Sequence, residues 1–324
     1  MPRRHFAPLV ALALVALFPL SGAGFYVELT TKIMIMAIFA LSLDLLVGWT
    51  GLVSFGHAAY FGVGAYALAL LSPQAAAAGM WSSLGLAVLA AAACALVVGV
   101  FVLRTRGIYF IMVTLAFSQM AYFVFHDTKV GGGSDGIFLY SKPVLAIGGS
   151  TLLDLDNETH FYYTVAAALI VTYALLATLA RSRFGHALTG IRINEQRMRA
   201  AGFATYPYKL AAFVIGGALA GLAGFLLAVK DGAVNPELLS WHESGAVLLM
   251  IILGGIGSLR GAVLGAAAFT LLRELFQSEA LVGAAAAHWQ LTLGLTIIAF
   301  VAWLPKGLIG LVSRRAQRRG QSHG

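Results

Sequence analysis

The chain reads as an all-α, polytopic membrane protein of about ten transmembrane helices, with glycine-rich broken or re-entrant segments between some of them. Composition, the count of long apolar runs, and the sidedness of the basic residues predict this class. Of 324 residues 60% are hydrophobic and only 10% are charged, whereas a soluble domain carries about a quarter of its residues charged. The mean hydropathy is +0.88. The single cysteine, Cys94, lies in an alanine-rich run and can form no internal disulfide.

Runs long enough to cross a bilayer, about 17 to 25 residues, fall near 7–23, 29–47, 58–72, 82–103, 108–126, 161–180, 209–229, 242–258, 261–277 and 288–304. The third is short, as expected of a helix broken at its glycine-rich start. Alternating these spans from a cytoplasmic N-terminus places 16 of the 21 basic residues inside. Among the five left outside are Lys32, Lys129, Lys142, Lys230 and Arg273. The positive-inside rule favours this arrangement, with both termini cytoplasmic. The net charge of +8 then reflects topology and contact with anionic lipid, not nucleic acid. Residues 1–28 also resemble a secretory signal peptide, with an arginine pair, an apolar stretch and Ser21-Gly22-Ala23-Gly24. A retained helix is the preferred reading; cleavage would leave nine spans with unchanged orientation.

The domain organisation expected is a single transmembrane domain over 1–324, with an external loop at 127–160, a cytoplasmic segment at 181–208 and a basic cytoplasmic tail at 305–324. The loop contains Gly131-Gly132-Gly133-Ser134-Asp135-Gly136. No Lys-Ser or Lys-Thr follows, so a flexible loop with a tight turn is expected there rather than a phosphate cradle.

Residues 48–65 carry five glycines, two hydroxyl side chains and His57 between two apolar runs. Such sequence at membrane depth is tolerated inside protein or beside a water-filled path; close helix crossing is the plainer alternative. A looser counterpart is Gly254-Gly255-Ile256-Gly257-Ser258-Leu259-Arg260-Gly261, and the two together suggest an internal repeat. A path near the bilayer centre would be lined by Thr50, Gly51, Ser54, Gly56 and His57, by Gly254, Gly255, Gly257 and Ser258, and by Gln119 of the fifth span. For His57, hydrogen bonding within the buried backbone is the alternative role. Asp44 is either a functional intramembrane carboxylate or a group solvated at the inner interface.

In the internal segment, Ala187, Ile191, Met198 and Ala201 can share one helical face. Arg192, Glu195 and Arg199 lie three and four apart, so Glu195 can bridge both arginines. Gly202 and Pro207 stop the helix. A short basic amphipathic helix of this kind either lies on lipid or docks into a soluble partner.

These residues resemble the branched-chain amino acid ABC transporter permeases of the LivM/LivH type, and LivM more closely. The resemblance runs through Leu41 to Tyr66, Arg106-Gly107-Ile108-Tyr109-Phe110, Gly132-Gly133-Ser134-Asp135-Gly136, Gly185-His186-Ala187-Leu188, Asn194 to Gly202, Gly217 to Gly224 and Leu253 to Ala266. It covers roughly residues 25–305 in matching order. Three positions depart from the family pattern: Asp44, Gly131 and Arg260 stand where asparagine, threonine and proline are common. The resemblance implies an importer permease in a bacterial inner membrane. Its path lies at a subunit interface, shared with a second permease. It is driven by cytoplasmic ATP-binding subunits and fed by an extracytoplasmic substrate-binding protein. It also implies that Arg192, Glu195, Arg199, Ala200, Ala201 and Gly202 form the element that docks on the ATPase. Branched-chain amino acids, other amino acids and amides such as urea all remain open as substrates. No Gly-x-x-x-x-Gly-Lys-Ser/Thr motif is present, so the energy must come from another subunit. No catalytic, metal or cofactor site is expected. A self-contained secondary transporter or channel is the alternative function, and it would need more paired charges within spans than this chain has.

Overall fold

The computed structural model describes residues 24–72, 79–147, 150–304 and 307–310. The first expected span, 7–23, and residues 311–324 of the tail lie outside them. Six helices among the described residues are long and apolar enough to cross a membrane, or up to seven if a bent pair counts as one span. Among the described residues the expected count of ten is not confirmed.

The first helix, α1 (Gly24–Asp44), continues through a π-helical turn, Leu45–Thr50. From Met34 onward it is buried on every face, which fits a run apolar all round. α2 (His57–Leu71) is 15 residues long, about 22 Å at 1.5 Å per residue, short of a bilayer core. α3 (Met80–Val102) and α4 (Ile108–Asp127) turn large apolar side chains outward, including Leu89, Val97, Met112, Met120 and Phe123. That is the surface lipid requires. α5 (Glu158–Arg181) follows the loop and is likewise peripheral. α8 (Thr205–Asp231) is the second central helix. It crosses α2 and α3 on a row of small residues, with Gly217 on Ala95 and Gly221 on Ala91, so the helix backbones approach closely.

α9 (Trp241–Gly254) and α10 (Leu259–Gln277) are bent by 117° at the break between them. Two separate spans at 242–258 and 261–277 were expected; instead α9, with 14 residues, is too short to cross by itself. Gly254 packs on the Gly261 carbonyl and Gly265 on that of Met250, and this contact folds the pair together. Lys230–Glu28 at 2.8 Å and Lys32–Glu274 at 4.0 Å bring the start of α1 and the ends of α8 and α10 to one end of the bundle. The pair thus enters from that end and returns to it. α11 (Trp289–Trp303) packs against both.

The long loop is structured around its glycines. Gly132, Gly133 and Gly136 take φ of 76°, 68° and 75°, conformations open to glycine. β1 (Ile137–Phe138) then pairs antiparallel with Ala233–Val234 beyond α8. β2 (Val144–Ile147) and β3 (Ser150–Asp154) form a separate hairpin.

The internal segment is not one helix. α6 (Arg183–Ile193) ends at Asn194, whose extended backbone (φ −158°) starts α7 (Glu195–Ala200). The Asn194 carboxamide caps α7 by accepting from the Arg197 amide at 2.9 Å. The continuous face from Ala187 to Ala201 is therefore interrupted, and Met198 folds back onto Gly190.

Candidate functional site

The two glycine-rich breaks meet at the end of α1. Its last turn closes on Gly51 at φ 74°, and Thr50 spends its hydroxyl on the Leu46 carbonyl at 2.6 Å. Asp44 and Gly48, four residues apart, face the second break. Asp44 is fully buried, and its Oδ1 accepts the Gly257 amide at 2.7 Å. A Cβ on Gly48 would stand 2.6 Å from the Gly257 Cα, so only glycine allows the approach. Gly255 and Gly257, at φ 116° and 82°, give the second break a backbone path that other residues rarely take. Ser258 then caps α10, its hydroxyl accepting from the Gly261 amide at 3.2 Å.

Arg192 reaches the same place from α6. Its Nη1 donates to the Gly48 carbonyl, one of the carbonyls freed where α1 ends. Glu195 does not bridge Arg192 as the spacing suggested, because Arg192 turns inward to Gly48. The Glu195 carboxylate instead accepts from Arg199 at 2.6 Å, Lys209 at 2.9 Å and Thr205 at 3.0 Å. Burial of this carboxyl raises its pKa, but hydrogen bonds from Lys209 and Thr205 and the Lys209 charge outweigh that and hold it at about 2. Ala200, Ala201 and Gly202 are exposed beside it, Gly202 at φ 88°.

The other expected path residues divide. Ser54 is fully buried and accepts from the Gly56 amide at 3.2 Å. Gly56 packs against the Thr114 backbone of α4. His57 is fully buried, with its Nε2 2.9 Å from the Ser42 hydroxyl and its ring stacked on Phe39. It holds α2 to α1 in this conformation. Gln119 sits on α4 with its Oε1 buried and unpartnered, while its neighbour Ser118 donates to the Leu239 carbonyl at 2.8 Å. Of the second break, Gly257 is brought against Gly48, whereas Gly254 packs on Gly261 and Ser258 caps α10; Gly51 lies beside the Arg192 side chain.

Sequence reasoning missed the triangle of Asp44, Gly48 and Arg192. The available signal was the four-residue spacing of Asp44 and Gly48, which puts them on one helix face. The second Asp44 oxygen, Oδ2, has no hydrogen-bond partner among the described residues. Asp44→Asn, which keeps an acceptor for the Gly257 amide, should retain the folded protein. Asp44→Ala leaves that amide unpaired and should cost about 1 to 3 kcal/mol, read as an earlier thermal transition in detergent. Equal melting of the two variants would show that the bond carries nothing.

The chain matches, over residues 25–301, the family described as branched-chain amino acid transport system, permease component. It is 32% identical over 337 residues to the high-affinity branched-chain amino acid transport system permease protein LivM of Salmonella typhimurium, covering 98% of this chain and 78% of that one. To LivM of Escherichia coli it is 33% identical over 321 residues, covering 93% and 74%. The xylose transport system permease protein XylH of Escherichia coli matches over 30% of this chain at 33% identity. No solved structure matches the chain. Coverage of this extent makes the chain a multi-pass membrane protein of the branched-chain amino acid transport system permease family.

Proposed function

We propose that this chain is one permease subunit of an ABC importer for branched-chain or related amino acids, in a bacterial inner membrane with both termini cytoplasmic. It works beside a second permease. Cytoplasmic ATPase subunits dock on α6 and α7, and an external binding protein delivers the substrate. The observation that carries this reading is the Arg192–Gly48 bond with the Asp44–Gly257 bond behind it. Together they connect the docking segment to both breaks through two contacts. A push on α6 shifts the Gly48 carbonyl, and the shift reaches the second break through Asp44. Thr50, Gly51, Ser54, Gly56, Gly254, Gly255, Gly257 and Ser258 then form the part of the path that rearranges. Gln119 adds a polar wall, and His57 sets the position of α2.

Co-purification of the tagged chain from its native membrane tests this assignment. A second permease, ATP-binding subunits and a binding protein are expected with it, and ATP-dependent leucine uptake is expected of the assembly. Recovery of the chain alone, active in ion-driven uptake, would make it a secondary transporter. Because relatives include a xylose permease, uptake displaced by xylose and not by leucine would overturn the substrate assignment.

Gly56→Leu should abolish uptake, since its side chain would run into the Thr114 carbonyl of α4. Gly51→Leu should lower uptake by about ten-fold, a barrier change of about 1.4 kcal/mol, through strain at φ 74°. Normal transport rates in both would reduce the first break to an ordinary turn.

A further inference from the structure

A large cavity lined by charged residues lies away from the breaks, between α9, α10 and α11. It measures about 520 Å³, within the roughly 300 to 1,000 Å³ of small-molecule sites. Phe269, Leu293 and Ile297 are buried and also line it, so its floor is apolar and shaped by packed side chains. Three charged side chains line the same cavity: Arg273 from α10, Glu243 from the first turn of α9, and Glu237, whose carboxylate already accepts from the Tyr122 hydroxyl at 3.2 Å.

Arg273 stands over the Trp289 ring at 5.3 Å, and its buried Nε has no hydrogen-bond partner among the described residues. Glu243 lies within electrostatic reach of Arg273 and Lys32, yet no ion pair joins Glu243 to Arg273 among the described residues. Charges among apolar helices are costly and are kept where they serve a ligand or each other. The cavity beside Glu28 and Lys230 differs, because there the charges close on one another at 2.8 Å.

From this geometry we infer a binding site for a free zwitterionic amino acid with an apolar side chain. The α-carboxylate is held by Arg273, the α-ammonium by Glu243, and the side chain lies on Phe269, Leu293 and Ile297. A guanidinium and a carboxylate that line one cavity without pairing offer a partner to each end of such a molecule, and an Arg–carboxylate contact is strong when desolvated. A neutral sugar hydrogen-bonds such groups but neutralises neither charge. The site's charged groups lie by the Lys32–Glu274 pair, at the end of the bundle that is external if the transport reading holds. It would receive substrate before the breaks do.

Saturation-transfer NMR on the purified full chain in nanodiscs tests the site, with leucine, leucinamide and isocaproate as probes. Leucine should bind more tightly than leucinamide, which lacks the carboxylate, and than isocaproate, which lacks the ammonium. Arg273→Gln and Glu243→Gln should each raise the leucine Kd by about ten-fold or more. Arg273→Gln should leave leucinamide unchanged, and Ile297→Trp, which fills the floor, should remove binding. No leucine signal from the wild-type chain, or equal binding of the three probes, overturns the site without needing any variant to fold. Leucine uptake by cells reads the transport assignment separately. Uptake with a silent pocket rejects the pocket alone, and binding without uptake rejects the transport reading alone.

Discussion

Glu195→Ala should destabilise the folded chain by about 3 kcal/mol, whereas Arg199→Ala should cost under about 1 kcal/mol. The two charged partners of Glu195 differ in what they lose. Arg199 is half exposed and returns to water, but the Lys209 side chain is only 6% exposed. Without the carboxylate its ammonium is left buried and uncompensated, and that is the expensive outcome. The same contacts hold the Glu195 carboxyl at about 2, below its ordinary 4.5, so the network also shows in the pH dependence.

The sign follows from the direction of the shift. A depressed carboxyl binds its proton more readily unfolded than folded, so its contribution is complete above about pH 4.5 and disappears as pH falls towards 2. Melting in detergent between pH 6 and pH 3 should show the loss in the wild type, and Glu195→Ala should flatten that part of the curve. Uptake by Glu195→Ala should fall with the fold, because α7 is held to α8 through this carboxylate. Uptake by Arg199→Ala should fall without a change in melting if α7 is the docking element. Identical melting of Glu195→Ala and wild type would remove the network from the account.

The sequence made the membrane class legible because apolar runs and basic sidedness are local properties. Positions where the chain must break were legible for the same reason: Gly51, Gly255 and Gly257 sit where the backbone goes to positive φ. What a break does was not legible. α9 and α10 read as two spans because each is apolar, and only the contacts of Gly254 on Gly261 and Gly265 on Met250 fold them into one bent pair. The fate of Arg192 was hidden likewise. Spacing offers it Glu195 on a continuous helix, but Asn194 ends that helix, and the free carbonyl of Gly48, 144 residues away, takes the guanidinium. Glu243 and Arg273 were separated by a turn that sequence could not close.

Gly224→Ala should be strongly damaging. A Cβ there overlaps the carbonyl oxygen of Phe61, and one at Gly64 overlaps that of Gly221. Both obstacles are backbone, so no rotamer change relieves them, and α2 must move away from α8. Overpacking of a core usually costs about 1 to 3 kcal/mol; with rigid atoms on both sides the upper end or beyond is expected. The displacement also has a functional direction. α2 begins at the first break and is tied there by the His57–Ser42 contact at 2.9 Å and by the Ala58 amide donating to the Ser244 hydroxyl of α9 at 2.9 Å. Shifting α2 therefore disturbs both broken elements together. Gly85 supplies the control, since it lies within α3 with open space where its Cβ would be. Gly85→Ala should be neutral or gain up to about 1 kcal/mol from helix propensity. Size-exclusion profiles and melting of the two variants in detergent, with leucine uptake, separate crossing from composition. Gly224→Ala with wild-type melting and uptake would mean that α2 and α8 are free to part, and that the first break is not held by this crossing.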